Sequence, residues 1–495
     1  MTNALLSAPI LVPLGAAAVS IIVRRLAFQR ATSFVALAVA LVAAITTLVR
    51  AVSPGEIQVS RLGGWPAPIA ITLVADRMAA ILVAIALVTV TVVLVFAIGQ
   101  RAADEHSWFY HPTYMVMVAG IAQSFLAGDL FNLFVAFEIM LMASYVLLTL
   151  EGKDAQIRSG TTYVVLNVLE SLVLLMAIGL IFAATGTVNM AELPARLAEL
   201  PPAVATGLQL LLLVAFGMKA AVFPLFFWLP DAYPAAPSSV TAVFAGLLTK
   251  VGVYCIIRTQ TLLFPDALND LVLWIGAATM LIAVLGAISH YDMKRLLSFH
   301  IVSQVGYMVF GIGIGGAAAL AATLLYLVHH IPVKTALFLV EGIMERDSGS
   351  SSFDNVGGFA RRSPLFAVLF MLPALSLAGI PPFSGFVAKF LLVRAGVDAG
   401  EYVVVGIALL VSALTLTSMV KIWVNAFWGE VEPASRAGVR GVLRHHRTMA
   451  LATTALVVVT LVIAVGSGPL YDYSLDAARE LTNVNAYVSA VRGAP

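Results

Sequence analysis

Five lysines stand inside stretches of sequence that are otherwise apolar: Lys219, Lys250, Lys334, Lys389 and Lys421. Glu138 and Glu170 share that setting, and His330 lies four residues before Lys334. A charge at the centre of a bilayer costs ~2.5–3.5 kcal/mol on insertion scales, so these side chains are not retained for packing alone. Lysine suits proton relay because desolvation lowers its pKa and a nearby carboxylate raises it. A moving neighbour therefore switches it between loaded and empty. Glu138 is the expected partner for one such lysine, whereas Glu170 reads equally well as a structural pairing between helices. Four residues apart, His330 and Lys334 share one helix face, with Pro332 between them to loosen the backbone. His329 points elsewhere on the helix and reads as packing. Lys421, close to Trp423 and Trp428, reads as a side chain snorkelling to an interface.

The elements that position these residues must be membrane spans. Of 495 residues, 61% are hydrophobic, and only 28 are basic and 26 acidic. Charged residues make up 11%, against about 25% in ordinary globular domains, and mean hydropathy is +1.00. That composition excludes a soluble enzyme, a disordered scaffold and a secreted disulfide domain. The lone Cys255 has no partner for an internal disulfide, and a net charge of +2 offers no surface for nucleic acid. Hydropathy marks fourteen spans, at 3–23, 31–50, 77–99, 111–128, 130–150, 161–185, 204–226, 239–261, 268–289, 293–314, 317–341, 365–394, 402–427 and 448–466. The first is followed, not preceded, by Arg24 and Arg25, the reverse of a cleaved signal, and reads as a retained span. Between the second and third, residues 56–72 alternate loosely around Gly63-Gly64, which predicts a short extramembrane hairpin. With those within about three residues of a span end counted in the adjoining connection, fifteen basic residues fall in odd-numbered connections, eight in even-numbered connections or the tail, and five inside spans. The positive-inside rule then puts both termini outside.

The lysines also repeat. Lys219 and Lys389 are 170 residues apart, and Lys250 and Lys421 are 171 apart, an offset of five spans. Five is odd, so a duplicated five-span unit is inverted relative to its copy, an arrangement that places sites near the midplane on broken helices. Pro224 and Pro230 follow Lys219, and Pro381-Pro382 precede Lys389, which predicts breaks in spans seven and twelve. The expected organisation is an all-α polytopic fold. An N-terminal three-helix segment covers 1–110, the first repeat 111–261, the inverted repeat 268–427, and a loop, last span and tail 428–495.

Other chemistries fit less well. Gly311, Gly313 and Gly316 match a dinucleotide pattern, but they end an apolar span with no strand before it, so they read as packing or a turn. The histidines at 290, 300, 329 and 330 are available to haem, yet no C-x-x-C-H occurs and the lysines would go unexplained. No zinc spacing and no nucleotide-binding loop is present, and no cofactor is implied.

Certain runs are familiar. Asp129-Leu130-Phe131-Asn132-Leu133-Phe134-Val135-Ala136-Phe137-Glu138-Ile139-Met140 resembles the fifth-span signature of the antiporter-like subunits shared by respiratory complex I and Mrp-type multisubunit Na⁺/H⁺ antiporters. Gly217-Met218-Lys219-Ala220-Ala221-Val222-Phe223-Pro224 resembles their seventh span, and Asp292-Met293-Lys294-Arg295-Leu296-Leu297-Ser298-Phe299 the start of their tenth. The segment 377–390, with Pro381-Pro382 and Lys389, is most similar to the Mrp branch. The resemblance covers essentially the whole chain. It implies that Glu138 and Lys219 are a coupled pair and that Lys250 is a central relay residue. His330 and Lys334 then carry the relay through span eleven, and Lys389 ends it. It further implies a prokaryotic cell membrane, protons and Na⁺ as the ions, and subunits A, B, C, E, F and G as partners. One departure stands out: Tyr326 occupies a position where the family often has a second histidine, and tyrosine takes up no proton near neutral pH. The expected function is a proton-translocating antiporter subunit. The alternatives are a proton-pumping subunit of complex I or of a membrane hydrogenase, a membrane cytochrome, and a structural subunit with an inactive relay.

Overall fold

The structure, a computed structural model, describes residues 2–52, 56–65, 70–101, 105, 107–430 and 442–493. Twelve helices among these are long and apolar enough to cross a membrane. They are α1 (Ala4–Ile22 of a helix beginning at Thr2), α2 (Leu26–Val52), α3 (Arg77–Gln100), α5 (Leu130–Leu148), α6 (Asp154–Thr185) and α7 (Pro202–Ala220), followed by α8 (Ser238–Leu263), α9 (Asn269–Ser289), α10 (Met293–Ile314), α11 (Gly316–Ser348), α14 (Tyr402–Trp428) and α15 (Arg447–Val465). The other two expected spans take shorter forms. The fourth is α4, the 17-residue helix Tyr110–Leu126. The twelfth is split into α12 (Pro364–Ala378) and α13 (Ser384–Asp398), 15 residues each.

Local sequence explains many of the helix ends. Asp76, Asp129 and Asp292 cap α3, α5 and α10, accepting from the backbone N–H groups of Ala79, Asn132 and Arg295 at 2.8, 2.6 and 2.8 Å. The hairpin forms as expected, Gln58–Arg61 pairing antiparallel with Thr72–Ala75. It leads into Asp76, which also meets Arg258 of α8 at 2.6 Å in a buried ion pair. The hydropathy pattern carries no hint of two further helices in the tail, α16 (Ser467–Thr482) and α17 (Val484–Arg492). Their polar faces carry few signals of a span, yet α16 packs along α11 and its Glu480 meets Arg77 at 2.6 Å.

Helices α8, α10 and α11 form the centre, and α1, α2, α6 and α15 the rim. Every residue in the apolar window of α8 is buried, against a third in α6. Exposed Val165, Leu172 and Met176 on α6 give it an apolar outer face suited to lipid. Contacts run α5 to α6, α6 to α7, α7 to α8, α8 to α11, and α11 to both halves of the broken twelfth span. Gly252 permits one of these contacts, because a Cβ there would lie 2.5 Å from the backbone nitrogen of Ala220, beside Lys219. The result is a continuous succession of helices that carries all six of the site residues named from the sequence.

Candidate functional site

Both predicted breaks occur. Helix α7 stops at Ala220, and Ala221 turns into the left-handed region with φ +59°. Lys219 is therefore in the last turn, where a cation favours the exposed carbonyls. In the second break, α12 ends in Ala378 and Gly379, and Lys389 reaches back from α13. Its Nζ donates to the Ala378 carbonyl at 3.3 Å and to Ser412 Oγ at 3.1 Å. Ser412 in turn donates to the same carbonyl at 2.9 Å. Lys389 thus caps the negative end of the half-helix before it, and the ring of Tyr307 lies 4.8 Å from its ammonium.

Lys250 solves a different local problem. Residues Phe244–Leu248 widen α8 into a π-turn, which disturbs the regular carbonyl pairing just before the lysine. Its Nζ donates to the Ala245 carbonyl at 2.6 Å and to Thr249 Oγ1 at 3.2 Å. Lys334 has no such anchor. It is fully buried, its Nζ has no hydrogen-bond partner among the described residues, and the ring of Phe338 lies 5.6 Å away. Both nitrogens of His330 are likewise unpartnered, and its ring stacks on Tyr326 at 6.2 Å. Lys250 stands within electrostatic reach of both His330 and Lys334 across the contact between α8 and α11.

The acidic end differs in detail from the sequence reading. Glu170 is the carboxylate at ion-pair distance from Lys219, at 3.9 Å, with both side chains buried. Asn167, one turn earlier on α6, accepts from Lys219 Nζ at 3.5 Å. Glu138 is half-buried and accepts a hydrogen bond from Ser171 of α6, while remaining within electrostatic reach of Lys219. Three charged groups therefore meet here where a pair was expected, and α6 supplies the middle one.

Three more residues enter through the structure. His329, read as packing, contacts Ser384 at 2.8 Å between its Nδ1 and the hydroxyl, and so ties α11 to the broken span. Tyr326 donates to Gln304 and stacks on Tyr307 at 5.6 Å, which places it between His330 and the aromatic ring beside Lys389. Glu341 was missed because span eleven was ended there. The helix instead continues to Ser348, and Glu341 is fully buried beside Ser238. Seven residues after Lys334, it lies on the same face. Lys294 and Glu345, paired at 3.2 Å, stand near it, and Glu345 is 37% exposed. Lys421, half-buried, donates to the carbonyls of Ile288 and His290 at 2.7 and 2.9 Å at the end of α9. Among the described residues no group of acids, histidines or cysteine is arranged to hold a metal ion.

A helical membrane fold threaded by buried lysines, of which Lys219, Lys250 and Lys389 are hydrogen-bonded by the fold and Lys334 is not, is here that of a transporter subunit rather than an enzyme. The chain belongs to the family described as NADH:quinone oxidoreductase/Mrp antiporter, transmembrane, whose model matches residues 127–415, and within it to the D-type subunits of the Mrp Na⁺/H⁺ antiporters. It is 42% identical to the D-type Na⁺/H⁺ antiporter subunit of Alkalihalophilus pseudofirmus over 88% of each chain. It is 35% identical to the corresponding subunit of Bacillus subtilis over 98% of each. A chain in the structure of the Mrp complex from Dietzia superposes with a TM-score of 0.92 at 34% identity, covering 99% of both chains. A chain of an archaeal membrane-bound sulfane sulfur reductase superposes at 0.87 with 24% identity, a likeness of fold alone.

Proposed function

We propose that this subunit translocates protons within a multisubunit Na⁺/H⁺ antiporter driven by the proton-motive force. Its relay runs along the membrane plane through Glu138, Glu170, Lys219, Lys250, His330, Lys334 and Lys389. The observation that carries this reading is the unbroken helix succession α5–α6–α7–α8–α11–α13, with an ionisable side chain on every member. Protons enter at the Glu138–Glu170–Lys219 group, pass Lys250 and the His330–Lys334 pair, and leave near Lys389. Movement of α6 or α7 changes the spacing of the acidic group and so the proton affinity of Lys219. Moving one charge through 100 mV supplies about 2.3 kcal/mol, the driving force available for Na⁺ export. Glu341 gives the row a side branch toward the half-buried Glu345.

Fourteen spans, counting α4 and the broken α12–α13 unit, fit two inverted five-helix repeats at 111–261 and 268–427. A three-helix segment at 1–110 precedes them, and the C-terminal part at 428–495 follows. Corresponding breaks beside Lys219 and Lys389 support that division. The distribution of basic residues places both termini outside the cell membrane. Subunits A, B, C, E, F and G are the partners. The relatives identical at 42% and 35%, named as subunits of Na⁺/H⁺ antiporters, favour this reading over a redox-driven pump.

The test is Na⁺-dependent proton exchange in everted vesicles from a host lacking its own antiporters, carrying the whole operon. Added Na⁺ should collapse an imposed pH gradient. An assembled wild-type complex with no Na⁺ response would transfer the reading to a redox-driven proton pump. In the same assay Lys421→Arg should stay within about twofold of wild type, since substitutions outside a critical network usually shift free energies by no more than ~0.5 kcal/mol. Loss of exchange would bring Lys421 into the pathway.

A further inference from the structure

A cavity of about 520 Å³ lies where four helix ends meet: the starts of α2 and α15 and the ends of α3 and α11. Its lining includes five arginines, Arg30, Arg101, Arg346, Arg444 and Arg447, against two carboxylates, Glu105 and Asp347. Both acids are already engaged. Glu105 serves Arg30 at 3.5 Å and Arg101 at 3.9 Å. Asp347 takes Arg362, from outside the cavity lining, at 2.6 Å and His446 at 4.0 Å. Arg346, Arg444 and Arg447 have no carboxylate within ion-pair distance among the described residues. Helix α15 also opens toward this cavity without a side-chain cap, so its first N–H groups add to the positive end. Gly99 makes the wall close: a Cβ there would lie 2.8 Å from Thr448.

The positive-inside rule accounts for basic residues on one face but not for their convergence on one cavity. Repulsion among three guanidinium groups that have no carboxylate partner among the described residues is relieved by an anion, and the planar fork of arginine matches the oxygens of a phosphate group. The position of the cavity selects the source. It sits at the ends of spans, at the level of lipid headgroups, and α15 descends from it with Leu451, Val458 and Val462 exposed at 70, 50 and 64%. Spaced by seven and four residues, these three share one face and make an apolar track below the cavity.

We propose that this cavity binds the phosphate headgroup of an anionic phospholipid, with Arg346, Arg444 and Arg447 on the phosphate and the acyl chains along the α15 face. The site is independent of the proton relay.

The test uses the intact complex purified in mild detergent. Fluorescent phosphatidylglycerol and phosphatidylcholine bearing the same label are the probes, and inorganic phosphate is the competitor. Wild type should prefer phosphatidylglycerol. An arginine near an anionic lipid surface contributes about fivefold in affinity, so Arg346→Gln combined with Arg444→Gln should weaken binding by about 30-fold. Arg394→Gln, at an exposed arginine on α13, should leave it unchanged. If the double glutamine variant fails to assemble, Arg346→Lys with Arg444→Lys replaces it. That variant keeps the charge and loses the fork, so binding should weaken without vanishing. Equal binding of the two lipids by wild type, or full phosphatidylglycerol binding by either double variant, overturns the proposal. Inorganic phosphate binding as tightly as the lipid overturns the lipid assignment in favour of a free anion.

Discussion

Replacing Lys219 with alanine should lower Na⁺-dependent proton exchange by about two orders of magnitude or more, the scale on which a positioned proton-transfer group acts. The complex should still assemble. Lys219 is 1% exposed, ends the first half of the broken helix, and meets Glu170, Asn167 and, at longer range, Glu138. Its removal leaves two carboxylates near each other with no cation beside them, so Glu170 must bind a proton and hold it. The proton is then trapped at the start of the row and cannot pass to Lys250. Everted vesicles carrying the whole operon provide the assay, and immunodetection of the membrane complex provides the control. Near-normal exchange by an assembled Lys219→Ala complex would sink the coupled-group mechanism. Glu138→Ala should also lose exchange, whereas Glu170→Gln separates the two carboxylates. If Glu170 is the working partner of Lys219, the glutamine variant fails as completely as the lysine variant. If it only holds α6 against α7, the neutral amide still hydrogen-bonds and much of the exchange survives.

How much of this was legible in the sequence depends on the kind of signal each residue carries. A lysine in an apolar run is conspicuous because the membrane penalises it, and all of the site lysines named from the sequence do lie on successive packed helices. The breaks were legible through proline, whose missing N–H and fixed φ interrupt α7 and the twelfth span wherever the chain continues. Pairing was less legible. Glu138 belonged to a recognisable motif, but the carboxylate nearest Lys219 depends on how α6 is rotated, and a helix with an apolar outer face gives no strong clue to that rotation. Glu341 was hidden by the charged run that follows it, Glu345-Arg346-Asp347, which resembles a loop. The structure keeps that run helical, with Asp347 buried and Arg346 exposed. The pair of Asp76 and Arg258 joins residues far apart in the chain, and no spacing rule links them. The π-turn before Lys250 is set by packing at the centre of the bundle, since Phe244–Leu248 is an ordinary apolar sequence.

Lys334→Met should abolish exchange and leave the complex as stable as wild type or more so. The two readouts pull apart for a physical reason. Lys219, Lys250 and Lys389 each gain hydrogen bonds from the fold, so replacing them removes structural contacts as well as a proton carrier. Lys334 makes none. A buried polar group without a partner costs about 1–3 kcal/mol, and an apolar side chain of similar shape is neutral or stabilising in its place. Methionine matches the length of the lysine stem and packs against the Phe338 ring with favourable sulfur contacts. A residue that destabilises its own helix needs another reason to be there. Its position on α11, one turn from His330, two turns from Glu341 and within electrostatic reach of Lys250, supplies one. The measurement is thermal unfolding of the purified complex alongside exchange in vesicles. An unfolding temperature at or above wild type with no exchange supports Lys334 as a proton carrier. Retained exchange would confine the relay to the other lysines, and a clear loss of stability would mean that Lys334 holds the α8–α11 contact together.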